Sequence, residues 1–174
     1  LSPEEKISIS SLKKFYEKFT SANRIIFISC GTSWHSSLLG EYFFEELLRI
    51  PVEVEYASEF RYRNPVINKG DIVIPISQSG ETADTLAAIK MAKEKGAFLY
   101  GICNVVGSSI ARETHTGIYT HAGSEIGVAS TKAFSCQISL LLLMGLALGE
   151  KLGTIESNRY QRILNELYKL PKTI

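Results

Sequence analysis

Ser77-Gln78-Ser79-Gly80-Glu81-Thr82 is the stretch of sequence that decides the fold. It stands between a short apolar run, Asp71 to Ile76, and a segment from Thr82 to Glu94 whose apolar residues recur at helical spacing. A short, β-branched apolar run predicts a buried strand, and the helical recurrence predicts an amphipathic helix. The stretch is therefore predicted to be a turn that joins the carboxyl end of a strand to the start of a helix.

The same turn has the composition of an anion-binding site. The first N–H groups of a helix have no partner within the helix, and the helix dipole is positive there. One cap needs a single oxygen, whereas Ser77, Ser79 and Thr82 supply three hydroxyls and Gln78 adds an amide. Gly80 lacks the Cβ atom that would keep a ligand away from the backbone. Phosphate binding is therefore favoured, and simple helix capping is the alternative.

The pattern of strand, turn and helix recurs along the chain. Arg24 to Ser29 is predicted as the first strand, and Cys30 to Ser33 as the turn after it. Ser33 to Leu48 is predicted as the next helix, which Pro51 prevents from continuing. Further strands are predicted over residues 52–56, 71–76, 98–102 and 117–120, and further helices over 10–19, 57–62, 82–94, a short segment from 108, a long segment that ends near 148, and 156–170.

Alternating strands and helices joined by short turns specify a parallel sheet that is covered by helices on both faces. Ligands of such folds lie beyond the carboxyl ends of the strands. Three polar turns, 31–33, 77–82 and 127–130, are predicted to meet at that edge. Pro75 removes a ladder N–H from an interior strand, so irregular pairing is expected beside it. We expect one α/β domain over residues 1–174, with a core from about 22 to 150 and helices at both ends.

Composition and charge exclude several classes of function. The chain has 174 residues, of which 45% are hydrophobic and 21% are charged, which suits one compact core. Its formal net charge is +1 and it has no basic block, so neither nucleic acid nor a membrane surface is an expected partner. The longest apolar run, Ile138 to Leu148, is about half the ~20 residues that a membrane-spanning helix needs, and predicts a buried helix.

The ends of the chain and its cysteines bear on location and on bound metals. No secretory leader is recognised at the first residues, which also lack an initiator Met, so a cytoplasmic location and excision from a longer protein are expected. Cys30, Cys103 and Cys136 have no paired spacing, so we expect neither a disulfide framework nor a metal site, and small buried thiols instead. No cofactor is predicted.

Four motifs in order resemble the sugar isomerase (SIS) domain family, whose members bind phosphosugars at a serine-rich turn. They are Cys30 to Ser33 (CGTS), Ala57 to Arg63 (ASEFRYR), Ser77 to Thr85 (SQSGETADT) and Glu125 to Phe134 (EIGVASTKAF). The resemblance implies a three-layer αβα sandwich around a five-stranded parallel sheet of flavodoxin-like order. It also implies a phosphate held by Ser77, Gln78, Ser79 and Thr82, and a sugar pocket lined by Thr32, Ser33, Val128 and Ser130.

Within the family, the motifs look most like the first of two SIS domains in aminotransferases that convert fructose 6-phosphate and glutamine to glucosamine 6-phosphate. That resemblance implies a homodimer and, in the parent chain, a second SIS domain and a glutaminase domain. The N-terminal Cys nucleophile of the glutaminase domain is missing here, as are the Lys, Glu and His that the second SIS domain and the tail provide. The chain is expected to bind fructose 6-phosphate or glucosamine 6-phosphate and to be inactive alone.

Proton transfer between C1 and C2 of the sugar needs a base with a pKa near the working pH. His35, Glu81, Glu125 and Lys132 are the candidates, and none is assigned a catalytic role. His35 is expected to be held by packing or hydrogen bonds, and Glu125 and Lys132 to pair with each other or with a neighbouring subunit. Glu81 is expected to point out of the turn, because an inward carboxylate would repel a phosphate.

Two other functions stay open. The first is a free-standing aldose–ketose phosphosugar isomerase that has one SIS domain per subunit and is active as an oligomer sharing bases across interfaces. The second is a regulatory sensor of sugar phosphates. The sensor ranks last because the sequence has no DNA-binding pair of helices and no basic patch.

Overall fold

The structure, a computed structural model, describes residues 6–127 and 129–173. The strands within them are β1 (Arg24–Ser29), β2 (Val52–Tyr56), β3 (Asp71–Ser77), β4 (Phe98–Cys103) and β5 (Thr116–Tyr119). The helices are α1 (Ser10–Lys13), α2 (Tyr16–Thr20), α3 (Thr32–Leu48), α4 (Ala57–Phe60), α5 (Ala83–Glu94), α6 (Ser109–Glu113), α7 (Lys132–Leu152) and α8 (Ser157–Thr173).

The five strands form a parallel sheet in the order β2-β1-β3-β4-β5. The order reverses between β1 and β3, so the turns that follow these two strands lie side by side at the carboxyl edge of the sheet. In open α/β sheets this switch point is where ligands bind. The predicted α/β fold, with a parallel sheet of flavodoxin-like order between two helical layers, is confirmed.

Alternate residues of each strand contact opposite helical layers. In β1, Ile25 and Phe27 belong to the core beneath α1, α2, α3, α7 and α8, whereas Ile26 and Ile28 belong to the core beneath α4, α5 and α6. All four side chains are fully buried. A strand that is buried on both faces reads as a continuous apolar run, which is why this part of the sequence predicted the sheet.

Pairing beside Pro75 is irregular, as predicted. On one side of β3, the register with β1 continues through the pair Ile28 and Pro75. On the other side, the register with β4 includes Val73 and Ile76 but omits the two residues between them. The missing N–H of Pro75 accounts for this interruption, because it removes a donor from the ladder.

Two helices differ from the sequence-based expectation. The helix predicted over residues 10–19 is broken into α1 and α2, and the ring of Phe15 at the break packs against Phe98 with centroids 5.1 Å apart. Ser11 Oγ lies 2.8 Å from the Tyr100 hydroxyl. Both side chains thus contact β4. The other difference is α7, which ends at Leu152 and not near 148 as predicted.

Among the described residues, α7 is long and apolar enough to cross a membrane by length and composition, and half of its apolar window is buried inside the protein. Its buried residues include Leu141, Met144 and Leu148, which join the core that also contains Phe44 and Leu47 of α3. These contacts are those of a core helix packed on a sheet.

Candidate functional site

The first two polar turns meet at the carboxyl edge of the sheet. β1 leads into residues 30–33 and β3 leads into residues 77–82, and β1 and β3 are neighbours. Thr85 Oγ1, in the first turn of α5, lies 4.0 Å from Cys30 Sγ. The side chains at the starts of α3 and α5 therefore line one shared edge.

The turn from Ser77 to Thr82 is held in shape by its own hydroxyls. Ser77 is buried, and its Oγ accepts a hydrogen bond from the Gly80 N–H at 2.9 Å. Ser79 is exposed, and its Oγ accepts from the Glu81 N–H at 3.2 Å. A hydroxyl that accepts a bond from the backbone still has its proton to donate. Both serines can therefore shape the turn and also donate to an anion.

The start of α5 is open. Thr82 is the N-cap residue of α5 and makes no side-chain capping bond. The N-cap residue of α3 is Gly31, which has no side chain that could cap the helix. The unpaired N–H groups of a helix start carry partial positive charge and point along the helix axis. Simple capping, the alternative explanation for the hydroxyls of this turn, is not what Thr82 does in the structure.

Carboxylates cap the starts of two further helices near this edge, α6 and α7. Glu81 Oε1 accepts a hydrogen bond at 2.8 Å from the N–H of Ser109, the first residue of α6. Glu125 accepts three backbone N–H bonds at the start of α7, from Thr131 at 2.5 Å, Lys132 at 3.0 Å and Ala133 at 3.1 Å. The starts of α3 and α5 lack a carboxylate cap among the described residues, as does the start of the four-residue helix α4 after β2.

Both capping carboxylates are held in their charged form. Hydrogen bonds from the Ser109 hydroxyl and N–H lower the pKa of Glu81 below its ordinary value. The pKa of Glu125 is lowered chiefly by the Thr131 N–H, with further bonds from Ala133, Ser130 and Lys132. Donors that bind the charged form of a carboxylate favour that form. Glu81 points away from the turn toward α6, in agreement with the expectation that an inward carboxylate would be unfavourable.

Gly80 is required by a neighbouring side chain as well as by its backbone conformation. Its φ is +70°, and a Cβ atom added to it would lie 2.0 Å from Ser108 Oγ. The Gly80 carbonyl also accepts a hydrogen bond from the Ile110 N–H at 2.9 Å. The sequence suggested that Gly80 clears space for a ligand, and the structure adds that the start of α6 packs directly beneath it.

The Ser33 side chain is fixed by a residue of α7. Ser33 is buried, and its Oγ accepts a hydrogen bond from Gln137 Nε2 at 3.0 Å. Gln137 Oε1 accepts in turn from Ser36 Oγ at 2.9 Å. Thr32, the first residue of α3, is half-buried beside Ser33. The start of α3, with two of the predicted sugar-pocket residues, is therefore tied to α7.

The third turn is described only in part. Val128, predicted to line the sugar pocket, lies outside the described residues. Ser130 is half-buried, and its hydroxyl bonds Glu125, the capping residue of α7. Ile126 is fully exposed at 102%. The structure thus ties Ser130 to the start of α7, and no contact of Ser130 with the other polar turns appears in the part of the chain that is described.

The remaining base candidates lie apart from the turns' hydrogen-bond networks. His35 is exposed on α3, and its ring meets the edge of Trp34 with centroids 5.1 Å apart. Lys132 is exposed, and its Nζ lies beside Gly123, 3.7 Å from the point that a Cβ atom on this glycine would occupy. Glu125 contacts Lys132 through the main-chain N–H, and across residues 6–127 and 129–172 no ion pair joins the two side chains.

The cysteines are free thiols, and one of them is fully buried. Cys103 is buried, which raises the pKa of its thiol to about 11, whereas Cys30 and Cys136 are half-buried. The expectation of small buried thiols thus fits Cys103 best. Within the described ranges, no three His, Cys, Asp or Glu side chains are grouped as metal ligands would be.

Three residues at this edge were missed from the sequence. Ser108 was predicted only as the start of a short helix, and Asn104 lies in the loop after β4, where the sequence carries no recognisable motif. Gln137 gave a signal that could have been used, because it is an uncharged polar residue at a buried position of a leucine-rich helix. Buried polar side chains are nearly always hydrogen-bonded, so a partner for Gln137 was to be expected.

Comparison with known proteins matches these features to one family and to one kind of enzyme. A family model described as the SIS domain matches residues 18–147. The chain is 56% identical over 165 residues to glutamine–fructose-6-phosphate aminotransferase (isomerizing) of Bacteroides thetaiotaomicron, which covers 95% of this chain and 27% of that protein. It is 54% identical over 171 residues to the protein of the same name in Chlorobaculum tepidum, covering 98% of this chain and 28% of that one.

A solved structure agrees with the sequence matches. The C-terminal domain of glucosamine-fructose-6-phosphate aminotransferase from Francisella tularensis superposes with a TM-score of 0.88 at 37% identity, covering 94% of this chain and 46% of that chain. The chain thus spans 27–28% of the length of the curated relatives named above. With a family model that covers most of its residues and the same sheet order, the chain belongs to the SIS domain family.

Proposed function

We propose that the chain is the sugar-phosphate-binding SIS domain of a glutamine–fructose-6-phosphate aminotransferase, and that it binds fructose 6-phosphate and the product glucosamine 6-phosphate. The observation that carries the proposal is the open start of α5 beside the hydroxyls of Ser77, Ser79 and Thr82. The 56% identity to an aminotransferase of that name supports the choice of sugar phosphate.

The phosphate group is held by neutral donors in this proposal. Ser77, Ser79 and Thr82 donate their hydroxyl protons, Gln78 donates its amide, and the first N–H groups of α5 add the helix dipole. No Lys or Arg lies within residues 77–82. A hydrogen bond to a charged group contributes about 1.5–3 kcal/mol, so several such bonds are enough for a reversible substrate site.

The sugar is held by the other two turns. As the family resemblance implies, the sugar pocket is lined by Thr32 and Ser33 at the start of α3 and by Val128 and Ser130 of the third turn. Ser33 Oγ accepts a hydrogen bond from Gln137, and its proton can still be donated to a sugar oxygen.

The chain positions the sugar phosphate, and the proton transfers take place on groups of other domains. The Glu125 carboxylate is a helix cap with a lowered pKa, which makes it a poor base near neutral pH. Lys132 and His35 remain candidates by position alone. We therefore propose that the isolated chain does not turn over its substrate. Turnover of a phosphosugar by the purified chain would favour the free-standing isomerase instead.

The partners proposed for the chain are a second SIS domain, a glutaminase domain and a second copy in a homodimer, in the cytoplasm. The lengths of the two relatives, of which this chain covers 27% and 28%, support the further domains. Residues at both ends, such as Leu12, Phe19 and Leu164, belong to the same buried core, which supports one domain. Sedimentation of the purified chain measures whether it pairs alone.

Calorimetric titration with fructose 6-phosphate tests the site. Ser79→Ala and Thr82→Ala are each expected to weaken binding about tenfold or more, because each removes a hydroxyl donor to the phosphate. Thr20→Ala is the matched control, since Thr20 is an exposed hydroxyl residue just before β1, at the opposite edge of the sheet. Unchanged affinity in both site variants would overturn the assignment.

A further inference from the structure

We infer that Asn104 is a positioning residue that anchors the sugar-side loop, residues 120–130, to the phosphate-binding turn. The inference rests on the proposed function, because it concerns how the two parts of the same pocket are held together. Asn104 follows β4 directly and is half-buried.

The Asn104 side chain forms hydrogen bonds with the beginning of this loop through both its amide oxygen and its amide nitrogen. Its Oδ1 accepts hydrogen bonds from Thr120 Oγ1 at 3.0 Å and from the Ala122 N–H at 2.8 Å. Its Nδ2 donates to the Gly123 carbonyl at 2.9 Å. One side chain thus fixes the path of the chain as it leaves β5.

The Asn104 backbone is joined to the phosphate side of the pocket. Its N–H donates to the Ser77 carbonyl at 3.3 Å, at the carboxyl end of β3 where the phosphate-binding turn begins. Asn104 therefore contacts the phosphate turn through its main chain and the sugar-side loop through its side chain. A substitution changes the second set of contacts and leaves the first in place.

The far end of the loop is anchored separately. Glu125 binds the start of α7 through three backbone N–H groups, as described above. Beyond Glu125, Ile126 is fully exposed and Gly127 is exposed, so these residues gain little position from packing. The position of Ser130 relative to the phosphate therefore depends directly on Glu125, and on Asn104 through residues 120–123, which lead to Glu125.

The phosphate turn does not need Asn104 to keep its shape. It is held by the Gly80 N–H on Ser77 Oγ, by the Ile110 N–H on the Gly80 carbonyl and by the Ser109 N–H on Glu81. Loss of the Asn104 amide should thus affect contacts to the sugar and spare contacts to the phosphate. A residue with only a general structural role would affect both ligands equally.

The test titrates the 174-residue chain and its variants with fructose 6-phosphate and, separately, with inorganic phosphate. Asn104→Ala is expected to weaken fructose 6-phosphate binding about tenfold and to change inorganic phosphate binding less than about twofold. Asn104→Asp keeps the two acceptor bonds and loses the bond to Gly123, so an intermediate loss is expected. Thr120→Val removes one of the three bonds and should cause the smallest loss.

Asn23→Ala is the matched control, because Asn23 Nδ2 donates to the Lys69 carbonyl at the opposite edge of the sheet. It should change neither affinity. Equal weakening of both ligands by the Asn104 and Thr120 variants, or no weakening of either, overturns the inference while leaving the proposed function intact. Wild-type chain that binds neither ligand overturns the proposed function and this inference with it. Should Asn104→Ala fail to fold, Asn104→Asp and Thr120→Val carry the same comparison.

Discussion

Ser108 Oγ lies 2.0 Å from the point that a Cβ atom on Gly80 would occupy. The phosphate-binding turn is therefore packed against the start of α6 on one side and open on the other. Ser108 is buried beneath the turn. The shape of the turn depends on this contact as well as on its own hydrogen bonds.

Gly80→Ala is expected to destabilise the protein more than Gly153→Ala does. Both glycines have φ near +70°, but a Cβ atom on Gly153 would meet nothing within 4 Å. The left-handed backbone costs a residue with a Cβ atom about 1–2 kcal/mol, and overpacking adds about 1–3 kcal/mol at Gly80 alone. Urea unfolding measures the difference. The Ser108→Gly change should recover much of the extra loss in a double variant, and no recovery would show that Ser108 is not the obstacle.

Gln137→Leu is expected to lower the free energy of unfolding by about 1–3 kcal/mol. The substitution leaves the buried Ser33 hydroxyl without its donor and removes an acceptor from Ser36. Ser135→Ala, on the exposed side of the same helix, should change stability by less than about 0.5 kcal/mol. Chemical denaturation compares the two. Equal effects would contradict the view that Gln137 fastens α7 to the start of α3.

Glu125→Gln should destabilise the protein at neutral pH, and its effect on stability should be smaller at acidic pH. The pKa of Glu125 in the folded protein is below its ordinary value of 4.5, because backbone N–H groups bind the carboxylate. The stability that comes from this shift is present above pH 4.5 and is lost as the pH falls through the folded-state pKa. Thermal unfolding from pH 7 to pH 3 measures the gap between wild type and variant. A gap that stays constant below pH 4.5 would contradict the capping role.

The capping contact of Glu81 shows why the site was only partly predictable from sequence. The turns at 31–33 and 77–82 could be read locally, because a strand, a polar turn and a helix follow one another in sequence. Glu81, in contrast, caps a helix that starts 28 residues later. Which helix Glu81 caps depends on which loops meet at the sheet edge. Local sequence patterns do not reveal that arrangement.

The same reason explains the missed residues and the broken first helix. Gln137 and Ser33 are 104 positions apart, and their contact requires α3 and α7 to lie side by side on one face of the sheet. Helical periodicity predicted a continuous helix over residues 10–19, whereas the structure has two short helices on either side of Phe15, whose ring packs against Phe98. The sheet itself was predictable, because strands buried on both faces, such as Ile25 to Ser29, form continuous apolar runs.

Alkylation of the native protein near pH 8 should spare Cys103. Its thiol is buried and its pKa is raised to about 11, so both access and the thiolate fraction are low. Cys30 and Cys136 are half-buried and should be labelled first. Mass spectrometry of peptides from briefly labelled protein gives the order. Labelling of Cys103 before the other two would mean that the loop after β4 opens in solution, contrary to the packing beneath Gly80.

The most direct test of the central claim is a crystal structure of the chain with fructose 6-phosphate bound. The phosphate group is expected at the start of α5, with its oxygens about 2.5–3.2 Å from the hydroxyls of Ser77, Ser79 and Thr82. The sugar should extend toward Ser33 and Ser130. A phosphate bound elsewhere, with the turn from Ser77 to Thr82 in contact with solvent alone, would contradict the proposed function.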